Sequence, residues 1–173
     1  MGKLKLLLAL LLVCVFCQSG QTNAQEVRTV VIPLGKSPST QYYTLPGAVF
    51  IGDKSPTRST SGSIVMPAIS DFFAPVILPH GSTVTEFAVW AINPSTSIDS
   101  FAILRRFDRQ ASSPFDMATA TIPFDAWGPT YTQFNAPGIS AEVIDNVDYS
   151  YGVVLSTTDG LSVSAVRITY MSP

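Results

Sequence analysis

Short segments in which apolar and polar residues alternate, separated by turn residues, dominate the sequence after residue 24. From Tyr149 to Leu155, for example, a large apolar side chain stands at every second position. Alternation with a period of two is typical of β-strands that bury one face. No window shows a sustained helical period with caps, and the 13 prolines disfavour long helices. The sequence therefore predicts an all-β fold.

Strands are predicted where runs of β-branched and aromatic residues lie between clusters of Pro, Gly, Ser, Asn and Asp. The predicted strands are residues 27–32, 47–52, 72–78, 83–92, 98–108, 116–122, 140–146, 149–157 and 161–170. In the last of these the apolar phase shifts after Ala165, which predicts a β-bulge or a strand covered on both faces. Residues 53–63, 108–116 and 123–138 are interpreted as loops. Many short strands of this kind indicate a single antiparallel β-sandwich or jelly roll.

Residues 1–24 have the pattern of a secretory signal peptide, with two lysines, then the apolar run 6–16, then a polar stretch ending at Ala24. The apolar run is too short to cross a bilayer, which needs roughly 20 residues. We expect cleavage after Ala24, which leaves residues 25–173 as one exported domain without a transmembrane anchor. Its expected location is the periplasm or the extracellular space. The segment resembles signal peptides of Bacteroidota.

Both cysteines, Cys14 and Cys17, lie inside this segment. Lipidation at Cys17 is the alternative to cleavage after Ala24, although Phe16 occupies the position where lipoprotein signals usually carry a small residue. Cleavage after Ala24 leaves no cysteine, and therefore neither a disulfide nor a thiolate metal site.

The remaining chain offers few groups for catalysis. His80 is the one histidine and falls in a predicted turn, and the sequence has no Gly-x-Ser-x-Gly motif. Nucleotide-binding glycine loops and metalloprotease helices are also missing from the sequence. The formal net charge of -2 disfavours nucleic-acid binding. The sequence therefore predicts a protein that is not an enzyme, has no catalytic residues, and uses no cofactor or nucleic acid.

Two segments carry a resemblance to a known group of proteins. Residues 73–90 read FAPVILPHGSTVTEFAVW, and residues 143–153 read VIDNVDYSYGV. They resemble the "APV-LP-GA-VT" strand pair and the "VDN-Y-Y" segment of a group of secreted bacterial β-sandwich domains. The resemblance extends over about residues 45–170, and Ser82 stands where the pattern often has Ala. It implies an all-β fold and export, and it supplies no catalytic residues.

Aromatic residues near predicted turns are candidate ligand-binding residues, because flat rings stack on the apolar faces of sugars. Trp127 and Tyr131 lie among turn residues, where exposed rings indicate binding. The competing interpretation folds Trp127 back as a lid over one end of the sandwich.

Trp90 and Glu86 form a second candidate pair, since both fall on one side of the predicted strand 83–92. An acid beside a tryptophan on a sheet suits a sugar site. The alternative is that Glu86 faces solvent or pairs with Arg105 or Arg106 on a neighbouring strand.

Asp145, Asn146 and Asp148 are candidate oxygen ligands for Ca²⁺. Their spacing does not match an EF-hand, and an Asx-turn at Asp145 accounts for them. No metal site is predicted, and Ca²⁺ near Asp145 and Asp148 stays open. Tyr149 and Tyr151 are expected to pack inward on the next strand, with their hydroxyls bonded at the core edge.

Three functions stay open at this point. The leading hypothesis is a secreted, non-enzymatic structural or interaction module that assembles with copies of itself or in an envelope layer. The second is a carbohydrate-binding module that recognises a cell-surface glycan with Trp127, Tyr131 or Trp90. The third is a small glycoside hydrolase that uses Glu86 with an aspartate, since glycosidases need two carboxylates roughly 5–10 Å apart.

Overall fold

The computed structural model describes residues 38–59, 62–67, 69–111 and 113–173. The predicted signal peptide, both cysteines and the predicted strand 27–32 lie outside these residues. All described residues belong to one compact unit.

Strands make up most of the described chain, with one short 3-10 helix. They are β1 (Thr40–Pro46), the 3-10 helix (Gly47–Val49), β2 (Ile51–Gly52), β3 (Thr57–Arg58), β4 (Ile64–Val65), β5 (Ser70–Val76), β6 (Thr83–Ile92), β7 (Ser100–Asp108), β8 (Phe115–Ile122), β9 (Thr132–Asn135), β10 (Tyr149–Thr157) and β11 (Ser162–Met171). Among these residues no helix has the length and apolar character needed to cross a membrane. The bounds of β6 and β10 are those predicted, and the all-β fold is confirmed.

The strands form two antiparallel sheets. Sheet A has the order β3-β4-β11-β6-β9, with β1 paired to the same edge of β11 as β4, and sheet B has the order β2-β5-β10-β7-β8. From β5 onward the chain changes sheets at every connection except that between β7 and β8. Buried side chains of both sheets form one core cluster between the layers, so the architecture is the predicted β-sandwich.

The core is filled by alternate residues of each strand. Phe50, Phe72 and Phe87 are among its largest fully buried side chains. Burying a side chain of this size stabilises the fold by about 1.5–3 kcal/mol before conformational entropy is counted. A core built from aromatic and aliphatic residues of both sheets accounts for a stable sandwich without a disulfide.

The structure differs from the predicted elements at several places. β1 has no counterpart among the predicted strands, since its sequence TQYYTLP mixes threonines with a terminal proline. β9 lies inside residues 123–138, whose prolines and glycines predict a loop. The predicted strand 140–146 contains only an isolated bridge between Val143 and Thr83.

The outer face of sheet B also carries apolar side chains, so the alternation of β5, β7 and β10 is incomplete. Phe73 stands on this face beside Val154, and its ring packs edge-to-face against Phe107 at 5.8 Å. The ring of Phe73 lies directly over Gly152, where a Cβ atom would come within 2.2 Å of the ring. Gly152 therefore leaves the space that the Phe73 ring occupies.

Candidate functional site

The outer surface of sheet A brings together aromatic, charged and amide side chains from four strands. We call it the aromatic face, and it consists of Tyr42 on β1, Arg167 and Thr169 on β11, Glu86 and Trp90 on β6, Gln133 and Asn135 on β9, and Tyr131 just before β9. The strand register fixes this grouping, because Tyr42 is opposite Thr169, Thr169 is opposite Glu86, and Trp90 is opposite Gln133. Residues two apart on a strand share a face.

Arg167 lies at the centre of the aromatic face. Its guanidinium carbon is 4.9 Å from the centroid of the Trp90 ring and 5.5 Å from that of the Tyr42 ring. Its Nη2 donates to both carboxylate oxygens of Glu86 at 3.4 Å. Thr169 Oγ1 donates to Glu86 Oε2 at 2.9 Å. One cation thus connects two aromatic rings and a carboxylate across three strands.

This ion pair contributes little to stability. The side chains of Arg167 and Glu86 are 30% and 37% exposed, and ion pairs with that access to water are worth about 0–1 kcal/mol. The main consequence of the contacts is orientation, because the rings, the guanidinium and the carboxylate hold one another in place. A pre-oriented polar surface loses less conformational entropy when a ligand binds.

Exposure of the aromatic rings varies across this region. Tyr42 is 65% exposed and Tyr131 is 36% exposed, whereas Trp90 is half-buried. The Tyr131 hydroxyl and Ser162 Oγ share a hydrogen bond of 3.0 Å across Ile92 of β6. Tyr131 and Trp90, both predicted candidates, therefore lie on one face together with Glu86.

Trp127 projects from the loop between β8 and β9, and its exposed fraction is 74%. The interpretation of Trp127 as a folded-back lid is therefore wrong. The loop itself is anchored, because Asn93 N donates to Ala126 O at 2.9 Å and Asp125 N donates to Ser95 O at 2.6 Å. Trp127 lies beyond the end of β6, at the same end of sheet A as Tyr131.

The Asn93 side chain explains why no lid is needed at this end of the sandwich. It is fully buried, and its amide donates to Ile98 O at 3.3 Å and to Ile122 O at 3.2 Å. Its Oδ1 accepts from Ser95 N and from Thr158 Oγ1, each at 3.1 Å. Asn93 thus closes the end of the core and holds the turn against which the Trp127 loop is bonded.

The predicted pairing of Glu86 with Arg105 or Arg106 is wrong. Both arginines are on β7, which belongs to sheet B, and Arg105 donates to Asp116 on β8. Glu86 pairs with Arg167 instead. The phase shift predicted in β11 is confirmed, since its register is interrupted by a bulge between Val163 and Ala165.

His80 lies in the turn between β5 and β6, as predicted, with 60% of its side chain exposed. Its Nδ1 accepts from Asn146 N at 3.1 Å and lies 3.6 Å from Asp145 Oδ1. Ser82 Oγ is buried without a hydrogen-bond partner. His80 and Asp145 are therefore adjacent, but Ser82 makes no hydrogen bond to His80 that could activate it as a nucleophile.

The Asx-turn predicted at Asp145 is confirmed, since Val147 N donates to Asp145 Oδ1 at 2.9 Å. Tyr151 packs inward as predicted, and its hydroxyl accepts from Asp145 N at 2.8 Å and donates to Asp145 O at 3.3 Å. Burial raises the pKa of Tyr151 above the usual value for tyrosine. In the described part of the chain no group of three His, Cys, Asp or Glu is placed to hold a metal ion.

Sequence reasoning missed the residue at the centre of the aromatic face, Arg167, and also Tyr42. Arg167 is an isolated charge within the apolar segment VRITY, and such a charge points to solvent or to a partner. Tyr42 lies on a strand that was not predicted. Arg167 itself is the one sequence feature that could have indicated this site. The residues around it are brought together only by strand pairing, which the sequence pattern does not give.

No family model and no curated protein matches this sequence. Among solved structures, the C-terminal CBM6 of LamC, a marine laminarinase from Zobellia galactanivorans, is 10% identical with a TM-score of 0.49, over 75% of this chain and 99% of that chain. The xylan-binding module CBM15 is 13% identical with a TM-score of 0.49, over 76% and 97%. CsCBM6-3 from Clostridium stercorarium, in complex with cellobiose, is 12% identical with a TM-score of 0.43, over 73% and 83%. At these identities and TM-scores the similarity carries no information on ligand or activity.

Proposed function

We propose that this protein binds carbohydrate through the aromatic face. The observation that carries the proposal is the contact of Arg167 with Glu86, Trp90 and Tyr42 on a solvent-facing sheet. A sugar ring has an apolar face, which stacks on an aromatic ring, and hydroxyl groups, which both donate and accept hydrogen bonds. The aromatic face supplies a partner for each of these features.

The polar groups favour a polyhydroxylated ligand over an apolar one. An arginine is a donor only, a carboxylate is an acceptor only, and an amide is both. Gln133 and Asn135 are exposed on β9, beside the Glu86–Arg167 pair. An apolar partner would leave these groups without water and without hydrogen bonds, which costs free energy.

The dimensions favour an oligosaccharide over a single sugar. The aromatic face crosses three inter-strand spacings from β1 to β9, which is about 14 Å. Along β6 it runs from Glu86 to Trp90, which is about 13 Å at the usual rise per residue. The exposed ring of Trp127 stands beyond that end and would extend the contact surface.

Binding to a glycan array, followed by calorimetry with the best ligand, tests the proposal. Trp90→Ala and Tyr42→Ala should each weaken binding by roughly tenfold or more, because each removes a ring that contacts Arg167. Phe73→Ala is the matched control, since it removes a 40% exposed ring from the other sheet. The proposal fails if no glycan binds, or if only the Phe73 variant loses affinity.

A structural or interaction module and a glycoside hydrolase remain predictions, as do export and location outside the cytoplasm. The exposed side chains of Ile51 and Phe73 on sheet B favour contact with another protein. Chromatography of the bound oligosaccharide after incubation tests the hydrolase, because cleavage that is lost in Glu86→Gln would establish it.

A further inference from the structure

Arg106 lies near the end of β7, at the opposite end of the sandwich from Trp127. Its guanidinium carbon is 4.6 Å from the centroid of the Phe115 ring and 4.4 Å from that of the Tyr149 ring. Phe115 is on β8 and Tyr149 on β10, and these strands flank β7 on opposite sides. The two rings therefore bracket the cation. A guanidinium directs its five N–H groups outward in its own plane, so the donors stay free at the edge.

Within the described residues no protein group accepts a hydrogen bond from these donors. Every other arginine of the described residues donates a hydrogen bond, and these are Arg58, Arg105, Arg109 and Arg167. Arg106 has no such bond and no carboxylate within 4.0 Å in the described part of the chain. None of its nitrogens is buried without a partner, so the unused donors face solvent.

A cleft of about 560 Å³ adjoins this cation. It is lined by Arg106, Ile139, Ala141, Glu142 and Val143. Three of these five residues are aliphatic, and the other two are a cation and a carboxylate. Clefts in which a few polar groups converge beside apolar side chains are typical ligand sites.

We propose that this cleft is a second binding site, for the carboxylate of an acidic sugar residue. The planar fork of Arg106 matches the two oxygens of a carboxylate. The aliphatic side chains suit the carbons of a sugar ring, and Glu142 accepts hydrogen bonds from its hydroxyls. Glu142 also repels a second negative charge, which favours a ligand with one carboxylate beside hydroxyl groups. The saccharide part of this inference rests on the proposed function, whereas the carboxylate part rests on Arg106 alone.

The test is calorimetry on the full protein with a uronic-acid oligosaccharide, its methyl ester and acetate. We expect the acid to bind roughly ten- to hundredfold more tightly than the ester, since charge-assisted hydrogen bonds are lost on esterification. Arg106→Gln should abolish this preference, and Arg106→Lys should retain part of it because the charge remains without the fork. Arg109→Gln is the matched control, because Arg109 lies at the same end and donates to Asn146 O. It should preserve the preference.

Thermal unfolding of each variant separates a lost site from a lost fold, and Arg106→Lys keeps the test decisive if Arg106→Gln does not fold. Equal binding of acid and ester would overturn the carboxylate site. So would an Arg109→Gln variant that loses the preference for the acid to the same extent as Arg106→Gln. Acetate or an acidic peptide that binds as tightly as the uronate would overturn the saccharide assignment. Failure here is distinguishable from failure of the proposed function, because Trp90→Ala tests the aromatic face with neutral glycans.

Discussion

Tyr151→Phe removes one hydroxyl from the edge of the core and changes little else. The Tyr151 side chain is buried, and its hydroxyl accepts from Asp145 N at 2.8 Å and donates to Asp145 O at 3.3 Å. Removal leaves the Asp145 N–H, which is half-buried, without its partner. A net hydrogen bond is worth about 0.5–1.5 kcal/mol, and an orphaned buried donor costs about 1–3 kcal/mol. We expect Tyr151→Phe to lower the free energy of unfolding by about 1–2 kcal/mol.

Alkaline pH provides a second readout of the same hydroxyl. Burial raises the pKa of Tyr151 in the folded state, so the unfolded chain loses this proton first as the pH rises. The stability contributed by the neutral hydroxyl is therefore complete below the unfolded pKa of about 10. It is lost as the pH rises from there through the folded pKa. Tyr151→Phe should flatten the decline in unfolding free energy above pH 10.

Urea unfolding at pH 7 and at a series of values up to pH 11 measures both effects. Tyr149→Phe is the matched control, because Tyr149 lies two residues earlier on β10 and its hydroxyl makes no hydrogen bond among the described residues. It should change stability by no more than about 0.5 kcal/mol. If Tyr151→Phe is as mild as the control, or keeps the full alkaline decline, the assignment of Tyr151 is wrong.

Two further substitutions test the packing that positions the faces. Gly152→Ala should lower the free energy of unfolding in urea by about 1–3 kcal/mol, because its Cβ would meet the Phe73 ring at 2.2 Å. Adding Phe73→Ala to the same chain should restore much of this stability. If it restores none, the packing of Phe73 over Gly152 is contradicted. Asn93→Ala should lower the free energy of unfolding by about 2–4 kcal/mol, because it leaves buried groups such as Ile122 O without a hydrogen-bond donor. It should also speed hydrogen exchange in the loop that carries Trp127, and unchanged exchange there would contradict the anchoring role of Asn93.

The strands that the sequence predicted correctly are those whose own residues indicate a strand, without information from a pairing partner. β6 and β10 are long, rich in β-branched and aromatic residues, and bounded by turn residues, so local propensity and pattern agree. The predicted turn at His80 is also local, and its next residue, Gly81, has a φ of 79°, which glycine adopts readily. Such features are local, and local chemistry determines them.

The parts that the sequence did not predict are stabilised by pairing with a distant strand. β9 has four residues, and it exists because Phe134 and its neighbours pair with Val89 and the adjacent residues of β6. β1 likewise depends on β11 at the other end of the chain. Glu86 pairs with Arg167 and not with Arg105 or Arg106 because β6 and β11 are neighbours in one sheet. This adjacency is a property of the sheet topology, which the sequence pattern does not give.

The bulge in β11 connects the sequence pattern to the geometry of the aromatic face. Val163 faces the core at an odd-numbered position, and a regular strand would direct Arg167, also odd-numbered, to the same side. The register shift between Val163 and Ala165 places one extra residue, Ser164, on β11. Beyond it Val166 and Ile168 face the core, and Arg167 faces outward between the rings of Trp90 and Tyr42. Bulges commonly re-aim side chains in this way. A strand that kept Ser164 but lost the bulge would therefore direct Arg167 into the core. Deleting Ser164 should instead give a regular strand in which Arg167 still faces outward, so the aromatic face depends on the match between the bulge and this inserted residue.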